Sequence, residues 1–215
     1  MKNLLIIVFT LVSISAFAQT SSPEGKETEV AYKWRVSMPY LVPDEIAYGY
    51  GKRTSIQMVE LHVKRNLDDK SIIGVKFATW RLFQPMGITW WQGVVDKIES
   101  GTEYYDGYLR ETGIGVSYQR MLWKGLFASV EVLPQIQTYT DLDGKKIKNG
   151  FKLYNSVHLG YHAAFGKKKR LFVEPQVHIN QWMFDNNSPA GFKEFDNKYG
   201  NVFWFEPNLY FGFKF

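Results

Sequence analysis

The stretch Phe203-Trp204-Phe205-Glu206-Pro207-Asn208-Leu209-Tyr210-Phe211-Gly212-Phe213-Lys214-Phe215 places Phe203, Phe205, Leu209, Phe211, Phe213 and Phe215 in one parity, with Glu206 and Lys214 in the other. Successive side chains of an extended strand point to opposite faces, whereas a helix returns to one face every three to four residues. The stretch therefore reads as a two-faced strand. The same split runs back through the chain. From Glu29, Val30, Tyr32, Trp34, Val36 and Met38 oppose Lys33, Arg35 and Ser37; Val59, Leu61 and Val63 oppose Glu60, His62 and Lys64; Ile73, Val75 and Phe77 oppose Gly74, Lys76 and Ala78. Further apolar faces follow at Ile114 to Tyr118, Leu126 to Val132, Val157 to Phe165 and Leu171 to Ile179, which makes eight strands.

Connection lengths alternate. Short ones, Asn66 to Lys70, Leu122 to Gly125 and Gly166 to Arg170, separate long ones, Pro39 to Thr54, Phe83 to Asp106, Tyr139 to Gly150 and Asp185 to Asn201. Short turns at one end, long loops at the other and an even strand count are the pattern of a membrane-spanning barrel. Alternation alone also fits a soluble β-sandwich or lipocalin-like barrel with its apolar side turned inward. Two facts favour the inside-out version: the polar faces are rich in Gly, Glu, His, Gln and Lys, and the apolar faces end in Trp, Tyr and Phe, as interfacial belts do.

The N-terminus agrees. Lys2, the apolar stretch Leu4 to Val12 and the small-x-small triplet Ala16-Phe17-Ala18 read as a cleaved export signal over residues 1–18. A short periplasmic segment is expected at 19–28 and the barrel domain at 29–215. With no Cys in the chain, thiolate metal sites, disulfides and thiol catalysis are excluded. The 26 Lys+Arg against 21 Asp+Glu leave a net charge of only +5, both signs are scattered, and nucleic acid is not expected as a partner.

The terminal Tyr210-Phe211-Gly212-Phe213-Lys214-Phe215 resembles the C-terminal strand by which outer-membrane proteins are recognised by the barrel-assembly machinery. The chain from about residue 29 to 215 resembles the small eight-stranded outer-membrane proteins of the OmpA/OmpX-like porin-family barrel type. That resemblance implies an all-β, transmembrane, antiparallel up-and-down β-barrel in the cell outer membrane, in contact with outer-membrane lipid and lipopolysaccharide. It specifies architecture, not activity.

Strand parity sends Lys33, Arg35, Lys64, Lys76, Lys152 and Lys214 inward, opposed by Glu60, Glu111, Glu131, Glu174 and Glu206. An eight-stranded barrel is just wide enough for side chains to fill, so these charges read as an ion-pair plug rather than an open pore. His62, His158, His162 and His178 join them as polar lumen residues, with no metal or cofactor expected. The pairs Glu131 to Pro134, Glu174-Pro175 and Glu206-Pro207 read as places where the ladder bends, since Pro removes a ladder donor. No catalytic set is assigned. Ser156 beside His158 invites a membrane acyl hydrolase or transferase of lipid A or phospholipid as the alternative, but the order is not the His-x-Ser of the lipid A deacylases and no Gly-x-Ser-x-Gly elbow is present. A narrow channel is the third reading. Asp141-Leu142-Asp143-Gly144 reads as a plain turn, not a calcium loop. Exposed aromatics on the long loops, Trp90, Trp91, Phe192 and Phe195, are the candidate contacts for a protein partner.

Overall fold

A computed structural model describes residues 32–39, 57–83, 105–199 and 202–215. The export segment 1–18, the 19–28 segment, Trp90 and Trp91 lie outside the described residues. The strands are β1 (Trp34–Pro39), β2 (Gln57–Asn66), β3 (Ser71–Leu82), β4 (Tyr108–Trp123), β5 (Leu126–Thr140), β6 (Lys146–Tyr161), β7 (Ala163–Phe165), β8 (Leu171–Asn186) and β9 (Val202–Lys214), with one helix, α1 (Ala190–Tyr199). Every pairing is antiparallel. β1 to β5 each pair with the next strand, β6 pairs with β8, β8 with β9, and β9 with β1, so eight strands close into a barrel-like ring. The ninth strand, β7, is a short continuation of β6 past His162, whose backbone N–H turns to donate to the Gly125 carbonyl at 2.7 Å.

Local chemistry sets the tight turns. Lys124 and Gly125, at φ 43° and 95°, both occupy the left-handed region that a two-residue hairpin turn requires to match strand twist. Between β2 and β3 the Asp68 carboxylate accepts from the N–H groups of Lys70 and Ser71, both at 2.7 Å, in place of missing ladder bonds. These hydrogen bonds favour the charged form and hold the Asp68 carboxyl below its ordinary pKa.

The two faces separate cleanly. Val59, Leu61, Val63, Ile73, Val75, Phe77, Ile114, Val116, Val130, Val132, Leu159, Val177, Phe211 and Phe213 are all exposed on the outside of the ring. Inside, toward the long connections, Ala78, Trp80, Leu82, Leu109, Leu133, Tyr139, Tyr154 and Trp182 form one buried cluster, with Glu111, Gln137 and Lys152 buried beside it.

Three expectations are corrected. Parity holds only from Trp34 onward: Tyr32 is buried and donates to the Lys168 carbonyl at 2.8 Å, which leaves Lys33 exposed rather than inside. The connection read as Tyr139 to Gly150 is mostly strand, because β5 runs to Thr140 and β6 begins at Lys146. Of the three Glu-Pro bends, only the last coincides with a register shift, between His178 and Asn180, where Phe205 adopts φ 57°. At Pro175 the ladder keeps its register. Near Pro134 the β4–β5 pairs step from Gly113 to Val116 without a shift.

Candidate functional site

The interior charges form three tiers along the ring axis. At the end bearing the short turns, Glu174 of β8 accepts Lys64 Nζ at 3.4 Å, lies 2.9 Å from His162 Nδ1 and 4.0 Å from Arg35, and takes a bond from Gln119 Nε2 at 3.3 Å. In the middle, Lys76 Nζ lies 2.8 Å from Glu131 Oε1 and 3.1 Å from Glu60 Oε2. Glu60 also accepts from Trp80 Nε1 at 2.9 Å and from the Tyr210 hydroxyl at 2.8 Å. Nearest the mouth, Lys152 Nζ meets Glu111 Oε1 at 2.6 Å, Gln137 donates to the same carboxylate at 3.0 Å, and the ammonium faces the Trp182 ring at 5.3 Å. Such burial is tolerable because each carboxylate of the three tiers has a cation beside it, and Glu60, Glu111 and Glu174 take neutral donors as well. With Lys33 outside, Arg35, Lys64, Lys76, Lys152 and Lys214 face Glu60, Glu111, Glu131, Glu174 and Glu206 inside, five against five.

The histidines fill the space between tiers. His62 Nε2 lies 3.7 Å from Glu131 and 3.9 Å from Glu60, and His158 stacks on His178 with ring centroids 4.8 Å apart. Ser156 does not engage His158. Its hydroxyl donates to Asn180 Oδ1 at 2.6 Å and lies 3.4 Å from His178 Nδ1, while His178 Nε2 is 3.5 Å from Glu206 Oε2. Asn180 Nδ2 donates in turn to Glu206. The serine is therefore committed to an amide and enclosed within the ring. Among the described residues no group of three or more His, Asp or Glu is arranged to hold a metal ion. Asp141 Oδ1 is used by its own turn, accepting from the N–H groups of Asp143 and Lys145 at 3.1 and 2.8 Å.

α1 closes the mouth. Phe192 and Phe195, expected as exposed contacts, turn inward instead: Phe192 is buried between Tyr105 and Tyr139, at centroid distances of 4.5 and 4.9 Å, and Phe195 packs edge-on to Tyr105 at 6.2 Å. The cause is the spacing 192, 195, which places both rings on one helical face. Tyr105 Oη donates to Asp196 Oδ1 at 2.5 Å and pins the helix. Burial pushes both the Tyr105 hydroxyl and the Asp196 carboxyl above their ordinary pKa values.

The structure thus encloses Arg35, Glu60, His62, Lys76, Glu111, Glu131, His158, Glu174 and His178, leaves His162 and Glu206 partly buried on the inner side, and buries Tyr210 while exposing Phe211, Phe213 and Phe215. Sequence reasoning missed Trp80, Gln119, Gln137, Tyr139, Tyr154, Asn180 and Trp182, although each shares the parity of the inward charge on its own strand. No protein-family model matches the chain, and neither a curated protein nor a solved structure matches it.

Proposed function

We propose that the chain is an integral outer-membrane β-barrel protein of eight strands with a plugged lumen, whose role is structural or interactive through its mouth-side connections. One observation carries the reading: every strand turns large apolar side chains outward between charges that lie only near the two ends of the ring, while between those ends the charges are inside. A protein in water does the reverse, and contiguous apolar surface on this scale marks contact with lipid or partner. The outward arginines frame the apolar surface. On β4 ten residues separate Arg110 from Arg120; at about 3.3 Å per residue and a tilt of about 40° that is roughly 25 Å, the height of a barrel's lipid-facing band. Signal cleavage and export to the outer membrane belong to the same proposal.

The test is fractionation of the expressed full chain combined with gel mobility before and after boiling. A membrane-embedded band that shifts on heating and resists alkaline carbonate supports the reading. Release as a soluble monomer with no heat shift refutes it. The second reading is an acyl hydrolase built on the line Ser156, His178, Glu206, which requires the Ser156 hydroxyl to leave Asn180 for His178. In that case His178→Ala abolishes release of fatty acid from lipid while the heat shift persists.

A further inference from the structure

We propose that the turn between β7 and β8 is a head-group site for an anionic phospholipid, whose acyl chain lies along the outward side chains of Leu171, Phe213 and Phe211. The inference rests on the membrane reading above. Gly166 and Lys169, at φ 81° and 47°, fold the chain tightly there, and Lys167, Lys168, Lys169 and Arg170 are all exposed. The turn is anchored from within: Lys169 N donates to Gly166 O at 3.0 Å, and Lys214 N donates to Arg170 O at 2.8 Å. Arg170 is held by aromatics, its guanidinium 5.4 Å from the Tyr32 ring centroid and 5.8 Å from that of Phe213, with Nε donating to the Tyr32 hydroxyl at 3.3 Å. A guanidinium backed by ring faces and presented beside lysines suits a phosphate diester.

The apolar strip begins immediately below. Leu171 is the register partner of Phe213, and Val173 of Phe211, so the outward Leu171, Phe213 and Phe211 form a contiguous patch under the cationic turn. A phosphate with a hydrocarbon tail satisfies both parts at once, whereas a soluble anion would use only the first. The rest of this end has the same bias. Arg65 faces the Trp34 ring at 5.5 Å and Lys124 the Trp123 ring at 5.0 Å. On its outer surface, among the described residues, the short-turn end carries Lys33, Arg65, Lys70, Arg120, Lys124 and the cations 167–170 against only the side-chain carboxylates of Asp68 and Asp69, Glu174 lying inside the ring with Lys64. The mouth, by contrast, intersperses Arg81, Arg110, Lys145, Lys146 and Lys148 with Asp106, Asp141, Asp143, Asp185 and Asp196. Zwitterionic phosphatidylethanolamine carries its own ammonium, so the field at the short-turn end favours an anionic lipid instead.

The full chain is reconstituted into nanodiscs of phosphatidylethanolamine and phosphatidylglycerol in equal parts, and lipids that stay bound are counted by native mass spectrometry. The expected result is about tenfold enrichment of phosphatidylglycerol, the scale of one to two basic residues near a lipid surface. Replacing Lys167, Lys168, Lys169 and Arg170 together by Ser brings retention to parity while heat-modifiable mobility persists. Raising the salt concentration weakens the preference of the unaltered chain, an arm that does not depend on the variant folding. Incorporation without enrichment, or enrichment unchanged by the variant, overturns the head-group site alone. Failure to incorporate overturns both proposals. Binding of inorganic phosphate to the detergent-solubilised chain as tightly as lipid overturns the acyl-chain half.

Discussion

Lys76 and Glu131 meet at 2.8 Å although they stand on β3 and β5, two strands that never hydrogen-bond to one another. The other tiers do the same: Lys152 of β6 reaches Glu111 of β4, and Lys64 of β2 reaches Glu174 of β8. The ion pairs tie together parts of the wall that the backbone ladder connects only through one intervening strand or, for Lys64 and Glu174, through two, β1 and β9.

Lys76→Met should therefore leave Glu131 and Glu60 buried without their shared cation. Removing one partner of a buried pair costs about 3–5 kcal/mol. The urea midpoint of the detergent-folded protein should fall accordingly. Adding Glu131→Gln to Lys76→Met should recover part of the loss; no recovery would mean that the coupling is not electrostatic.

Gly212 is a close-approach glycine. A Cβ there would stand 2.1 Å from Cζ of the buried Phe172 ring. Gly212→Ala should destabilise by about 1–3 kcal/mol, as overpacking does. Pairing it with Phe172→Leu should restore most of that, read by the same denaturation midpoint.

Phe192→Ala removes the ring that α1 inserts between Tyr105 and Tyr139. Hydrogen exchange should rise throughout Ala190–Tyr199 and stay unchanged in β4 and β5. Equal acceleration in the strands would make the helix part of the ring's own stability.

Acid should act oppositely at the two ends. The Asp196 carboxyl is raised by burial, so its contribution is fully present below its ordinary pKa and is lost as pH rises through the raised value. Protection of α1 should therefore increase on acidification, and Asp196→Asn should remove that dependence. The Asp68 carboxyl is lowered by its backbone hydrogen bonds, so its contribution is present at neutral pH and is lost as pH falls through the lowered value. Protection of the Lys70 and Ser71 amides, taken relative to intrinsic exchange at each pH, should fall in acid, and Asp68→Ala should reproduce that at neutral pH.

Much of this was legible because a half-buried strand writes its two faces alternately. From Arg35 onward the charged residues assigned inward do point inward, and Phe211, Phe213 and Phe215 do point out. The failures occur where the period breaks. Tyr32 keeps the outward parity in sequence but turns under the ring, where Arg170 lies over it, and Lys33 is displaced. Residues 145–149, Lys-Lys-Ile-Lys-Asn, are polar enough to read as loop, yet backbone pairing with β5 makes most of them strand. Phe192 and Phe195 carry a helical spacing that a search for strands passes over. Trp80, Tyr139, Tyr154 and Trp182 were hidden differently. Parity shows which side they face, but only the closed ring shows that they pack there on one another.

The pairing of β6 with β8 begins at Phe151 and Asn186, whereas β6 itself begins at Lys146. Among the described residues, Lys146 to Gly150 pair with β5 alone, apart from the Asn149 carbonyl, which accepts from Asn187 Nδ2. Among the described residues this short run is one of several margins paired on one side only, Ala163–Phe165 of β7 being another, and such a margin is where a foreign strand adds itself. Lys145, Lys146 and Lys148 stand on or beside it. A second copy aligning the same run would bring its own three ammonium groups against these, so the hairpin carries its own guard against strand-by-strand aggregation.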